Sequence, residues 1–221
     1  MNERAQVIPL FPLETVLFPH TMLPLHIFEP RYREMVLYCL ETDSPFGIVL
    51  IREGREVGGD AEPFEVGTLA RIGRLRRLSD GRFHLIALGE ERFHIQRLIR
   101  DETPYLQAEV VSWRDHPPLN WDDQERLARE VSELFITFLQ TALTPLGITV
   151  NDITLPEDPV ALSFAVAGTL QSNAEFKQYL LELQDTTERL RLLHTILTHN
   201  PTETHIKRFD PSEWSEYLTQ N

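Results

Sequence analysis

Two lysines, Lys177 and Lys207, limit the chemistry open to this 221-residue sequence. A phosphate-binding loop needs a Gly-Lys-Ser/Thr step after a glycine-rich turn, and neither lysine follows a glycine, so nucleotide hydrolysis by that route is excluded. A Ser-Lys dyad needs a desolvated lysine as its base. Lys177 stands in Glu175-Phe176-Lys177-Gln178 on a predicted helix and Lys207 adjoins Arg208, both solvated settings that leave an ordinary ammonium. The eight histidines include no His-Glu-x-x-His pair, His194 and His199 miss the i,i+4 spacing of helical ligands, and a single cysteine excludes the common structural zinc sets. No Gly-x-Ser-x-Gly elbow presents a serine nucleophile. Cys39 falls on the inner stripe of a predicted helix, where a buried thiol is inert. The acid pairs Asp122-Asp123 and Glu90-Glu91 suit a helix start and a solvated strand face. These residues read as a protein that is not an enzyme and holds neither metal nor cofactor.

One charge feature stands out, the run Arg71, Arg74, Arg76, Arg77. On a strand these guanidinium groups could grip acidic peptide side chains bidentately, or they could be the wet face of a hairpin paired with Glu90 and Glu91; exposed sheet faces are ordinarily charged, which favours the wet face. The chain as a whole carries −13. Residues 119–221 hold 7 Lys+Arg against 16 Asp+Glu. That excess disfavours nucleic acid, whose affinity comes from cations displacing phosphate counterions. One cysteine allows no internal disulfide. The opening MNERAQVIPLFPLE lacks a secretory pattern, and no run approaches the roughly 20 apolar residues that span a bilayer. A cytoplasmic protein without a membrane partner is expected.

Two kinds of element must position these groups. From Ala5 to Trp113, short apolar runs are broken by Pro, Gly and charge, the pattern of strands and turns. Val7–Phe11, Val16–Phe18 and Met22–Phe28 are the first runs. A helix follows Glu29-Pro30 with Tyr32, Met35, Val36 and Cys39 on its inner stripe and ends near Asp43. Phe46–Ile51 reads as a strand covered on both faces and 52–66 as an exposed loop. Asp80-Gly81 joins Thr68–Leu78 to Phe83–Leu88 in a hairpin. Arg92–Ile99 and Tyr105–Trp113 complete a curved sheet or small barrel. His116-Pro117-Pro118 is the linker, dividing a β-rich lobe, 1–116, from a helical lobe, 117–221. There the period becomes 3.6, with one long helix ending near Pro145-Leu146-Gly147 and others starting at Pro156-Glu157-Asp158-Pro159, at Ser172 with Glu175, and at Asp185 with Glu188. The tail from Pro211 to Leu218 reads as a further short helix or docking segment. The fold class is α+β.

Residues 8–40 resemble the opening of the Lon protease N-terminal, substrate-binding domain family, particularly its small freestanding members without ATPase and protease domains. The likeness is carried by Pro9-Leu10-Phe11-Pro12-Leu13, Val16-Leu17-Phe18-Pro19 and Leu23-Pro24-Leu25-His26-Ile27-Phe28-Glu29-Pro30-Arg31-Tyr32. It continues through Phe46-Gly47-Ile48-Val49-Leu50, Gly89-Glu90-Glu91-Arg92-Phe93 and Lys177-Gln178-Tyr179-Leu180-Leu181-Glu182-Leu183. The resemblance implies a PUA-like β pseudo-barrel with one helix, then a helical bundle. It also implies a non-catalytic module that takes up unfolded or extended polypeptide by strand-edge addition or in a groove between lobes. Phe28, Arg31 and Tyr32, between strand and helix in the family-like segment, are the candidate binding residues; the competing reading puts Phe28 and Tyr32 in the core and has Arg31 tie the lobe together. Two other readings stand beside it, a hydrolase or small-molecule enzyme with its site between the lobes, and RNA binding by the first lobe, which the acidic total disfavours.

Overall fold

The computed structural model describes residues 5–58, 61–100, 103–144 and 154–199. Its first half is built from β1 (Gln6–Leu13), β2 (Met22–Ile27), α1 (Pro30–Thr42), β3 (Phe46–Glu53), β4 (Glu62–Pro63), β5 (Val66–Arg77), β6 (Phe83–Ile99) and β7 (Gln107–Ser112). Strands β1, β7, β6, β5 and β3 pair antiparallel in that order. Parallel pairing of β1 with β3, Leu10 opposite Gly47, brings the sheet round into a ring. Ile8, Leu10, Val49, Phe93, Ile95, Ala108 and Val110 fill it. The Phe93 ring sets the spacing, because a Cβ on Gly47 or on Gly67 would lie 2.7 Å from its Cζ. Both glycines therefore answer to a close approach in a tightly packed interior.

A second core forms where α1 lays Tyr32, Met35, Val36 and Cys39 against Phe11, Leu25, Ile27, Phe83 and Leu85. Pro30 starts the helix with its φ already set. Asp43, left-handed at φ 50, ends it by donating its backbone N–H to the Cys39 carbonyl, a conformation that Asp tolerates better than most residues. Burial pushes the Cys39 thiol up to about 11, so this cysteine stays protonated and unreactive at neutral pH.

The second half comprises α2 (Trp121–Leu143), α3 (Pro159–Thr169), α4 (Ala174–Glu182) and α5 (Thr186–His199). Helix α3 is apolar on nearly every side and lies at the centre, with Leu162, Phe164, Val166 and Ala167 buried. Side chains of Asn120, Asp158, Asn173 and Asp185 accept the first free N–H groups of the four helices. The α+β expectation thus holds: among the described residues a nearly closed sheet with one helix is followed by four helices.

Local departures have physical causes. Val16–Phe18 is not a strand: its backbone serves other partners, the Leu17 carbonyl accepting from Thr68 Oγ1 at 2.6 Å, while Leu17 and Phe18 anchor the turn in the two cores. Phe83–Leu88 and Arg92–Ile99 are one strand, because Gly89 continues the ladder opposite Ala70. The expected loop 52–66 holds the two-residue strand β4 on the edge of β3. Asn173, one residue beyond Ser172, caps α4 at 2.7 Å. The expected stop at Pro145-Leu146-Gly147 and the tail from Pro211 to Leu218 lie outside the described residues.

Candidate functional site

The sheet and the helices that follow it are joined by buried charge. Helix α4 ends with carbonyls that no further helical turn can satisfy, and side chains from elsewhere take them. Arg92, on β6, donates to the carbonyls of Leu181 and Leu183, Arg189 on α5 donates to that of Leu183 at 2.7 Å, and the Trp113 indole donates to that of Glu182 at 3.0 Å. Asp115 lies between the two arginines, 3.0 Å from Arg92 and 2.9 Å from Arg189. Both guanidinium groups also stack on Phe164, Arg189 at 4.1 Å and Arg92 at 5.1 Å. Burial pulls the Arg92 guanidinium down to about 10, with Asp115 opposing and Arg189 reinforcing that shift. Both arginines remain cations at neutral pH. Beside them opens a cavity of about 340 Å³ lined by His20, Glu90, Glu91, Arg92, Trp113 and Asp115 among others. Each oxygen of its Asp115 carboxylate already accepts from an arginine, which makes the group a tie between β6 and α5 rather than a ready base.

The opposite arrangement occurs on the outer face of β2, β6 and the far half of β5. Register pairs Met22 with Leu88, Pro24 with Ile86 and His26 with His84, and on the other side of β6 pairs Arg71 with Leu88, Arg74 with Ile86 and Arg76 with His84. Side chains alternate across a strand, so these nine residues share one face in three rows, each running from β2 across β6 to an arginine. Leu23, Leu25, Ile27, Phe83, Leu85 and Ala87 point the other way, towards the core beneath α1. Met22 is 70 % exposed and Leu88 38 %. Over this face lies a groove of about 530 Å³, lined by Thr21, Met22, Pro24, Gly73, Arg74, Ile86 and Leu88, with Gly168 and Thr169 at the end of α3 as its wall. A bulge between Ile72 and Arg74 places Gly73 in the floor. A Cβ there would lie 2.8 Å from Leu88, so the missing side chain gives the groove its depth.

At one end of the face the His26 and His84 rings meet edge to face at 4.7 Å, with Phe28 5.8 Å from His26. Partial burial, His26, Arg76 and Arg82 together hold His84 below its ordinary 6.5. The free edge of β2 is blunted. The Gly89 N–H donates to the Thr21 carbonyl at 2.9 Å, and antiparallel alternation from there directs Leu23, Leu25 and Ile27 to β6 and turns the backbone of Met22, Pro24 and His26 outward. Pro24 has no N–H to offer at the middle of that edge.

The three candidate residues are separated by the structure. Phe28 is 46 % exposed and prolongs the apolar face. Tyr32 is 4 % exposed, its ring 4.3 Å from that of Phe11. Burial pushes its hydroxyl up to about 12. Arg31 bonds to Glu29 and to the Glu56 carbonyl and covers the Tyr32 ring at 4.5 Å, tying α1 to the loop after β3. Of the arginine run, Arg71 pairs with Glu90 at 2.7 Å. Sequence reading missed the face itself, though a signal was present: His84-Leu85-Ile86-Ala87-Leu88 and Met22-Leu23-Pro24-Leu25 are apolar at both alternating positions, which a strand with one wet face does not need. Among the described residues, no group of three or more His, Cys, Asp or Glu side chains could hold a metal ion, and no helix is long and apolar enough to cross a membrane.

The model of the ATP-dependent protease La (LON) substrate-binding domain family matches residues 7–199. The chain is 31% identical over 201 residues to Lon protease 2 of Myxococcus xanthus, covering 87% of this chain and 23% of that protein. It is 28% identical over 215 residues to Lon protease of Cytophaga hutchinsonii, covering 94% and 26%. It spans about a quarter of the length of these curated relatives. Among solved structures it resembles the Lon N-terminal domain protein from Xanthomonas campestris, with a TM-score of 0.62 at 27% identity over 86% of this chain and 98% of that one. It shares its fold with the N-terminal domain of Mycobacterium avium complex Lon protease, with a TM-score of 0.67 at 22% identity over 88% and 100%.

Proposed function

The chain belongs to the LON substrate-binding domain family, and we propose that it is a non-catalytic, ATP-independent cytoplasmic module that takes up extended or unfolded polypeptide on the outer face of β2, β6 and β5. The observation that carries this reading is the exposed apolar groove over Met22, Pro24, Ile86 and Leu88. Contiguous apolar surface open to water costs solubility, and where it is concave and rimmed by polar groups it marks a binding site. Phe28 extends this surface at one end, while Arg31 and Tyr32 act from behind by fixing the turn from β2 into α1. Pro24 at the open edge of β2 favours capture by side chains in the groove over addition of a strand.

The test uses a polypeptide kept unfolded by reduction and neutral capping of its cysteines, with binding followed by fluorescence anisotropy. Wild-type protein is expected to bind it and Ile86→Lys to bind at least about tenfold more weakly, since an ammonium in the groove is desolvated beside the like charge of Arg74, its cross-strand neighbour. Equal binding by the two proteins contradicts the reading. A hydrolase acting between the lobes would use the cavity beside Asp115. ATP-independent turnover of that polypeptide, lost in His20→Ala, would establish that alternative instead.

A further inference from the structure

The structure assigns a substrate class to the outer face: an extended segment whose apolar side chains are interleaved with carboxylates, the former in the groove and the latter on Arg74 and Arg76. This rests on the reading of that face as the polypeptide site and adds the sign of the charge the segment must carry. Each cross-strand row changes from apolar or aromatic on β2 and β6 to guanidinium on β5, in Pro24-Ile86-Arg74 and His26-His84-Arg76. Neighbouring strands lie about 4.8 Å apart and alternate side chains about 7 Å apart along a strand. A segment lying along β6 therefore keeps its apolar side chains over Ile86 and Leu88 while every second residue on its flank comes within reach of an arginine. Arg74 itself lines the groove.

The surrounding charge sharpens the choice. The whole chain carries −13, yet residues 71–82 hold Arg71, Arg74, Arg76, Arg77 and Arg82 against Asp80 alone. The hairpin is a cationic island on an acidic protein. Repulsion of an acidic segment by the rest of the surface is screened within about 8 Å at physiological ionic strength, whereas a guanidinium and a carboxylate in contact form two parallel hydrogen bonds. Register and lining place Arg74, opposite Ile86, and Arg76, opposite His84, beside the apolar columns. The central columns are aliphatic, Met22, Pro24, Ile86 and Leu88, and suit peptide side chains better than stacked bases.

Three twelve-residue peptides with the same leucine and valine core, carrying interleaved Glu, Ser or Lys, test the assignment by anisotropy against the 221-residue protein. At about 50 mM salt the Glu peptide is expected to bind at least about tenfold more tightly than the Ser peptide and the Lys peptide more weakly than either; most of that advantage should vanish by about 500 mM. In Arg74→Gln/Arg76→Gln, checked for an unchanged melting transition, the Glu peptide should fall to the Ser level while Ser-peptide binding stays put. Equal affinities for the Glu and Lys peptides, or a Glu preference that survives the double substitution, overturn the substrate class alone. If no peptide binds, the polypeptide-binding reading falls with it. A single-stranded oligonucleotide or phosphatidylglycerol vesicles bound more tightly than the Glu peptide, through the same two arginines, would replace polypeptide with a general polyanion and likewise overturn the assignment.

Discussion

The joint between sheet and helices and the outer face of β2, β6 and β5 invert the usual distribution of residues in opposite senses. At the joint, Arg92 and Arg189 are withdrawn from water, Arg189 completely, and their guanidinium groups donate to Asp115, Ser163, Thr186 and the end of α4. On the outer face, Met22, Ile86 and Leu88 form an apolar surface that no element of the described chain covers. A buried ion network is costly to break because removing one member strands the others without water. An exposed apolar face costs nothing to replace with polar side chains as far as folding goes. The difference teaches what each region does for the fold: the first ties the helices to the sheet, and the second, on the proposed reading, has its reason in a bound polypeptide.

The largest expected effect breaks the joint. Asp115→Ala leaves two buried guanidinium groups facing each other and should lower unfolding stability by about 3–5 kcal/mol, read from the urea midpoint. Polypeptide binding by the protein that remains folded should be unchanged. On the outer face the pattern reverses. Leu88→Ser should weaken polypeptide binding by about 1–2 kcal/mol in calorimetry while moving stability by less than about 0.5 kcal/mol. A loss of stability with binding intact would mean that Leu88 belongs to the core after all.

Helix α4 supplies an internal scale, since its two ends are held by different means. Asn173→Ala removes an ordinary cap and should cost about 1 kcal/mol, well below the Asp115 loss, whereas Ser172→Ala should be near neutral in the same denaturation series. The smallest effect is one of pH. The folded protein holds His84 below the 6.5 of an unfolded chain, so the unfolded state binds the proton first as pH falls. The His84 contribution is thus fully present above about 6.5 and is lost as pH drops below it. Comparing wild type with His84→Gln at pH 7.5 and pH 5.5 should show a slightly steeper acid loss in wild type; the reverse slope would mean that the ring gains a partner on folding.

Much of this was legible in sequence because it is local. Pro30 with Tyr32, Met35, Val36 and Cys39 specified α1, Asp80-Gly81 specified the β5–β6 turn, and the change to helical period after Pro118 specified the second half. Neither of the two special regions was read, for different reasons. Arg92, Asp115 and Arg189 are charged residues spread over about a hundred positions, and nothing in their spacing says that tertiary packing will bury them together. The outer face depends on β2 flanking β6 in one register. A slip of one residue would have turned Met22, Pro24 and His26 inward and Leu23, Leu25 and Ile27 out. Val16–Phe18 has the apolar composition of a strand, but Pro19 and the hydrogen bond from Thr68 to the Leu17 carbonyl make it an anchored turn.

Backbone amide NMR of the 221-residue protein, titrated with the neutrally capped unfolded polypeptide, tests the central claim most directly. The account predicts shifts concentrated at Met22, His26, Phe28, Arg74, Ile86 and Leu88, with the amides of Trp113 and Asp115 at the joint unmoved. Shifts confined to the cavity around His20, Glu90 and Trp113, with β2 and β6 silent, would contradict it.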